Sequence, residues 1–275
     1  DFSVSSNFNW STNRNKVLSL KGVNTIVLNG FSAPSSNAVV GQPLGVLWGT
    51  DFLKDGNGKL ILDANGFPQS APNPSVIGNP NPDWTASIGS TFRYKQFTLS
   101  VLFDHVQGGD VWNGTRGALI NFGTHASTGN EVTASSNLKA WDGSTINAGT
   151  TFRGAIADFG GGPVALNQAW YSTAGSGGGL GGGFGPVASQ FVEKGTRTRL
   201  RELSVSYLLT GPKFKTKTKL QSISFSVTGR NLVLWTSYTG IDPETNLTGV
   251  TNGRGLDYFN NPNTRSYLFS IKVNY

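Results

Sequence analysis

The sequence has no cysteine, no methionine, only two histidines, and little charge of either sign. Without cysteine there is no disulfide framework, thiolate metal site or thiol nucleophile. There is also no nucleophile elbow, no HExxH motif and no paired-carboxylate pattern, so enzyme chemistry is poorly supplied. No catalytic residue, metal site or cofactor is expected. Charged residues make up 13% of the chain, about half the usual share of a soluble domain. The surplus of 22 Lys and Arg over 15 Asp and Glu is therefore a small excess on a weakly charged chain. A nucleic-acid binder would line up basic residues along one face, and no nucleic-acid partner is expected. No apolar run reaches the length of a transmembrane helix. There is no initial Met and no signal peptide, and the opening already alternates like a strand, so this sequence is expected to be a piece of a longer protein.

What the chain has instead is glycine, 37 residues of it, with abundant Ser, Thr and Asn. These suit turns and polar strand faces. Seven segments alternate with period two, at about 1–11, 16–28, 84–94, 96–107, 197–209, 219–230 and 265–275. In the first, Phe2, Val4, Phe8 and Trp10 oppose Ser3, Ser5, Asn7 and Asn9. In the last, Tyr267, Phe269, Ile271, Val273 and Tyr275 oppose Ser270, Lys272 and Asn274. The second, 16–28, is the least regular. Connections alternate between short (near 12–15, 95 and 210–218) and long (29–83, 108–196 and 231–264). Long structureless connections are rare in compact soluble domains. Short turns at one end and long loops at the other describe a transmembrane β-barrel.

A soluble sandwich also alternates, so the polar face decides. Bulk water would draw Lys and Glu to it. Here it is Ser, Thr, Asn and Gly, as in a barrel lumen, while the apolar face is nearly uncharged, with Arg201 and His105 as edge cases. Trp10, Tyr94, Tyr207 and Tyr275 each close a strand before a short connection or the terminus, which reads as an aromatic girdle at the periplasmic interface. The fold class is therefore all-β, about seven antiparallel strands of a larger barrel. A barrel must close, so the first and last strands are expected to pair with strands outside this sequence.

Four stretches carry a resemblance to a known family: Val76–Trp84 (VIGNPNPDW), Gln107–Thr115 (QGGDVWNGT), Thr198–Tyr207 (TRLRELSVSY), and Thr228–Thr245 (TGRNLVLWTSYTGIDPET) with the terminal strand. In order and spacing they resemble the C-terminal part of SusC/RagA-like TonB-dependent outer-membrane transporters of Bacteroidota. The resemblance implies a 22-stranded barrel with an N-terminal plug and TonB box outside this sequence. It also implies a SusD-like surface lipoprotein as lid, TonB as energy partner, a lipid bilayer and the rest of the same barrel as surroundings, and import of oligosaccharides or peptides. The aromatic-terminated last strand resembles the signal read by the barrel assembly machinery. The alternative is a secreted β-rich adhesin or glycan-binding module.

On the barrel reading, Trp48, Trp112, Trp141, Trp170, Tyr171, Trp235, Tyr238 and Tyr258 fall in the long loops, along with Phe259. They are candidates to contact substrate or lid, against the simpler reading that they pack the loops together. Lys213, Lys215, Lys217 and Lys219 alternate beside a short turn. In extended geometry they share one side, in phase with outward Ile223, at the periplasmic rim where anionic lipid would meet them. Asp55–Lys59 (DGNGK) hints at a calcium loop but lacks the later ligands, and reads as a turn echoed at Asp63–Gly66. The glycine run 175–185 lacks the lysine and flanking elements of a phosphate loop and reads as a mobile surface loop.

Overall fold

The computed structural model describes residues 2–172, 179–184, 186–248 and 253–275. Six antiparallel strands form one sheet in chain order: β1 (Phe2–Ser11), β2 (Pro82–Tyr94), β3 (Phe97–Gly108), β4 (Arg197–Thr210), β5 (Ser222–Thr236) and β6 (Ser266–Asn274). The expected strand at 16–28 is not among them. Residues 16–24 carry no strand, and Thr25–Gly30 instead pairs with Ser35–Val39 in a separate four-stranded loop sheet. The reason is visible in its residues. A wall strand must keep one face mostly apolar and uncharged, and Val17, Leu18, Leu20, Val23 and Ile26 do not hold one phase.

Losing that strand reverses the direction of β1. It pairs directly with β2, Phe2 opposite Tyr94 and Ser11 opposite Thr85. Trp10 therefore lies at the long-loop end and not in the girdle with Tyr94 and Tyr207; Phe2 takes its place. Across all six strands, Phe2, Tyr94, Phe97, Tyr207, Phe225 and Ile271 stand in one row on the outer face. Tyr275 follows Asn274 at the same end. A second row on that face, at the long-loop end, runs Trp10, Ala86, His105, Thr198, Trp235, with the Trp84 ring 4.9 Å from His105. From Tyr94 to Trp84 is about 33 Å of strand, or about 25 Å of height at a tilt near 40°, the thickness of a barrel's apolar band. No charged residue faces outward between the rows. The opposite face carries Ser5, Thr91, Ser100, Ser204 and Thr228 in register. Hydroxyls of Thr91 and Ser100 meet at 3.1 Å, and those of Ser204 and Thr228 at 2.7 Å.

At the short-turn end, β2 and β3 join through Lys95 and Gln96, Lys95 adopting a left-handed φ of 52°. Between β4 and β5 stands a helix, α2 (Pro212–Thr218), opened by Pro212. The alternating lysines are thus not on one extended side. Lys213 and Lys217 share a helix face, Lys215 points away from them, and Lys219 caps the helix in a left-handed conformation.

Three long connections, 12–81, 109–196 and 237–265, all leave from the opposite end. The core of this chain lies in them. Leu47, Trp112, Ile120, Phe191 and Leu256 form one buried cluster, and Phe67, Val164, Trp170, Leu180 and Val187 another. A wall has lipid on one side and lumen on the other, so only its loops can build a dry interior. Asp55 accepts from the backbone N–H of Asn57 and Lys59, and Asp63 from those of Asn65 and Phe67. Both are tight turns on one irregular hairpin. Most of the glycine run's first half and Gly185 lie outside the described residues. The described part, 179–184, is no loose loop, since Gly179, Leu180, Gly181 and Gly182 are buried. The Gly183 N–H donates to the Gly117 carbonyl at 2.9 Å on helix α1 (Gly114–Asn121), an approach only glycine permits there.

Candidate functional site

The site sits where the last long connection folds onto the lumen face of the wall. It begins with a bulge. The ladder of β4 slips between Leu200 and Glu202 against both neighbours. The extra residue, Arg201, escapes the outward face that strict alternation assigns to it. Arg197, Arg199 and Arg201 thereby reach a common group of acids: Asp104 from β3, and Asp242 and Glu244 from the loop. Arg199 Nη2 donates to both oxygens of Asp242 at 2.7 and 2.8 Å, with both side chains about 95% buried. Arg201 bonds Asp104 at 2.9 Å and Glu244 Oε2 at 2.9 Å. Arg197 Nε donates to Glu244 at 3.2 Å. Asn263 Nδ2 donates to Asp242 at 2.9 Å and Glu244 at 3.2 Å, and Asn231 holds the Thr264 carbonyl at 3.1 Å. The loop is therefore stapled to the wall near both its ends. Burial alone would raise the Glu244 carboxyl, but the Arg201 hydrogen bond and the charges of Arg197, Arg201 and Arg199 outweigh it and hold it below the ordinary range.

A second network ties this loop to the one before it. Val192–Lys194, Asp110–Asn113 and Leu256–Asp257 form a three-stranded sheet. Asn113 Oδ1 accepts from the Arg116 N–H at 3.0 Å and so caps α1. Its amide donates to Glu193 at 3.1 Å, and Glu193 accepts from the Thr239 N–H at 2.7 Å. The Tyr238 hydroxyl donates to Asp257 at 2.6 Å, where Thr115 also donates at 3.2 Å. Burial, and then that carboxylate, push the Tyr238 hydroxyl far above its usual pKa, so it stays a donor. Of these polar residues only Tyr238 was singled out from sequence, as a loop aromatic; the others, and the Arg199–Asp242 pair, were not. The available signal was an alternating run of arginines in a strand whose only other charge is Glu202, with an Asp-Pro-Glu in the last loop.

The loop aromatics are distributed by the structure as follows. Trp112 stacks on Tyr258, with centroids 6.2 Å apart, and Tyr258 meets Phe31 edge-on at 5.0 Å. Trp170 lies 5.4 Å from both Phe67 and Trp141. Tyr171 packs against both buried clusters. Trp48 is half-buried in the four-stranded loop sheet, opposite Ser35 and Val76. Tyr238 is buried on Asp257. Trp235 is not in a loop at all: it lies in β5, 49% exposed, in the outer row with Trp10. Below the stapled loop lies a cavity of about 470 Å³, lined by Arg197, Glu244, Asn246, Asn263, Arg254 and Asp110. Its donors and acceptors can bind a polar solute. Among the described residues no group of three or more His, Asp or Glu could hold a metal ion.

No family model matches the chain. Two curated proteins of Formosa agariphila are similar to it throughout. TonB-dependent receptor P3 is 26% identical over 304 residues, covering 100% of this chain and 27% of the relative. TonB-dependent receptor P26 is 24% identical over 307 residues, covering 98% and 27%. Solved structures of RagAB, described as a peptide importer, superpose over 100% of this chain and 28% of theirs, with a TM-score of 0.63 and 17% identity in the closed-closed state. The open-open state gives 0.62. The fold is that of a wall segment of an outer-membrane transporter barrel with the loops that cap it. The recognition from four motifs of a TonB-dependent receptor segment stands on these relatives, of whose length the chain spans about a quarter.

Proposed function

We propose that this chain supplies wall, lumen lining and outer loops to a TonB-dependent importer in a bacterial outer membrane. On this reading the short turns face the periplasm and the three long loops face outside. The loops meet a SusD-like lipoprotein lid, and the polar lumen passes an oligosaccharide or a peptide. Work is done on a plug through TonB, and this segment performs no chemistry. The observation that carries the reading is the pinning of the last loop to the lumen face by Arg199 and Asp242, which shapes a polar cavity at the mouth of the wall. The name of the RagAB relatives favours the peptide branch.

The test uses the whole gene product in its host. Membrane fractionation should place it in the outer membrane, with the neighbouring lipoprotein co-purifying. Its deletion should abolish TonB-dependent uptake of labelled peptides or oligosaccharides, and whichever pool is lost names the substrate. Recovery as a soluble secreted protein would sink this reading in favour of an adhesin.

A further inference from the structure

We infer that the two neighbouring short turns of this segment form a binding surface for the headgroups of anionic phospholipids. The inference rests on the barrel reading and adds a lipid partner to it. The aromatic row through Tyr94, Phe97 and Tyr207 marks the level at which the apolar band ends. Just beyond it, on the outer side, Lys95 Nζ stands 5.3 Å from the centroid of the Tyr94 ring. That contact fixes a cation at headgroup height. The Gln96 carbonyl accepts from the Leu208 N–H at 3.0 Å, which ties this turn to the strand that leads into α2. There Lys213, Lys215, Lys217 and Lys219 are all exposed.

None of the five lysines has an ion-pair partner among the described residues. The sequence explains why: no Asp or Glu occurs from Trp84 to Phe103, from Leu203 to Ile241 or from Tyr258 to Tyr275. Lys215 and Lys217 lie in the last turn of α2, where the helix dipole accounts for them. Lys95 and Lys213 have no such reason. Five uncompensated cations on two adjoining turns, level with the end of an apolar wall, complement a plane of phosphates. Each long side chain can lay its stem on the apolar band and its ammonium on a headgroup.

The test reconstitutes the whole transporter in nanodiscs of equal phosphatidylcholine and phosphatidylglycerol, and weighs the lipids retained on the protein by mass spectrometry. The wild type is expected to retain phosphatidylglycerol preferentially. Replacing all five lysines by Gln should reduce that preference about tenfold or more, since each basic residue at a surface contributes appreciably, while the five Arg replacements should keep it. High salt should weaken it. Should the Gln set fail to assemble, Lys95→Gln with Lys213→Gln should give a smaller loss in the same direction. Equal lipid ratios for wild type and Gln variants overturn the inference, and so does a preference lost equally in the Arg set. Insertion of the wild type into the discs reports on the barrel reading separately.

Discussion

Arg199 Nη2 donates to both carboxylate oxygens of Asp242, at 2.7 and 2.8 Å, the wall strand and the last loop each supplying one partner. Removing Arg199 leaves the buried Asp242 carboxylate without its counter-ion, which costs about 3–5 kcal/mol, and removing Asp242 leaves Arg199 only the longer Glu244 contact at 3.4 Å. Arg199→Ala and Asp242→Ala in the whole transporter should each release the 237–265 loop. Faster protease cleavage there, together with a lower midpoint of heat-modifiable mobility, would show it. Arg199→Lys should rescue part of the protection, because one nitrogen, Nη2, makes both bonds and an ammonium can supply them. An intact loop in Arg199→Ala would mean that the pair is not its anchor.

The same cluster gives a pH dependence with a definite sign. Glu244 titrates below its ordinary value of 4.5 in the folded protein. It therefore contributes stability that is fully present above 4.5 and is lost as the pH falls through the depressed folded value. Loop protection from protease should hold at neutral pH and decline in acid below 4.5. Glu244→Gln should flatten that decline and lower the plateau at neutral pH. An unchanged acid profile in Glu244→Gln would assign the dependence to another group.

The wall was legible in the sequence because lipid and lumen impose period two on each strand, and Trp84–Tyr94 or Tyr267–Tyr275 can be read almost residue by residue. The stretch 16–28 was misread because a few apolar residues in a loop sheet imitate a weak strand. That one error inverted β1 and carried Trp10 to the wrong end. The Arg199–Asp242 anchor was hidden for two reasons. The partners lie 43 residues apart, and strict alternation sends Arg201 outward, so that only the bulge reveals three arginines acting together. The roles of Trp112 and Trp170 depend on contacts between separate loops, which no local pattern records.

Helix α1 and the glycine run set a packing test. A Cβ on Gly183 would stand 2.3 Å from the Gly117 carbonyl carbon, whereas one on Gly56 would meet nothing within 4 Å. Gly183→Ala must push backbone from backbone and should cost about 1–3 kcal/mol, the usual range for overpacking. Gly56→Ala should stay within about 0.5 kcal/mol of wild type. Heat-modifiability midpoints of the two variants provide the comparison, and equal midpoints would show that the run is not packed on α1.

Tyr238 and Asp257 offer a subtler change. Tyr238→Phe removes one hydroxyl and leaves the buried Asp257 carboxylate with the weaker Thr115 contact at 3.2 Å. An unmatched buried acceptor costs about 1–3 kcal/mol, and here the loss falls on the joint between two loops. Hydrogen exchange should quicken at Leu256 and Asp257 and at the first turn of α1, while β2 and β3 stay protected. Asp257→Asn with Tyr238→Phe should recover part of the loss, since the neutral amide is cheaper to leave underbonded than a carboxylate. Exchange that quickens evenly across the wall would mean that the joint transmits to the barrel and that loop core and wall are not separate.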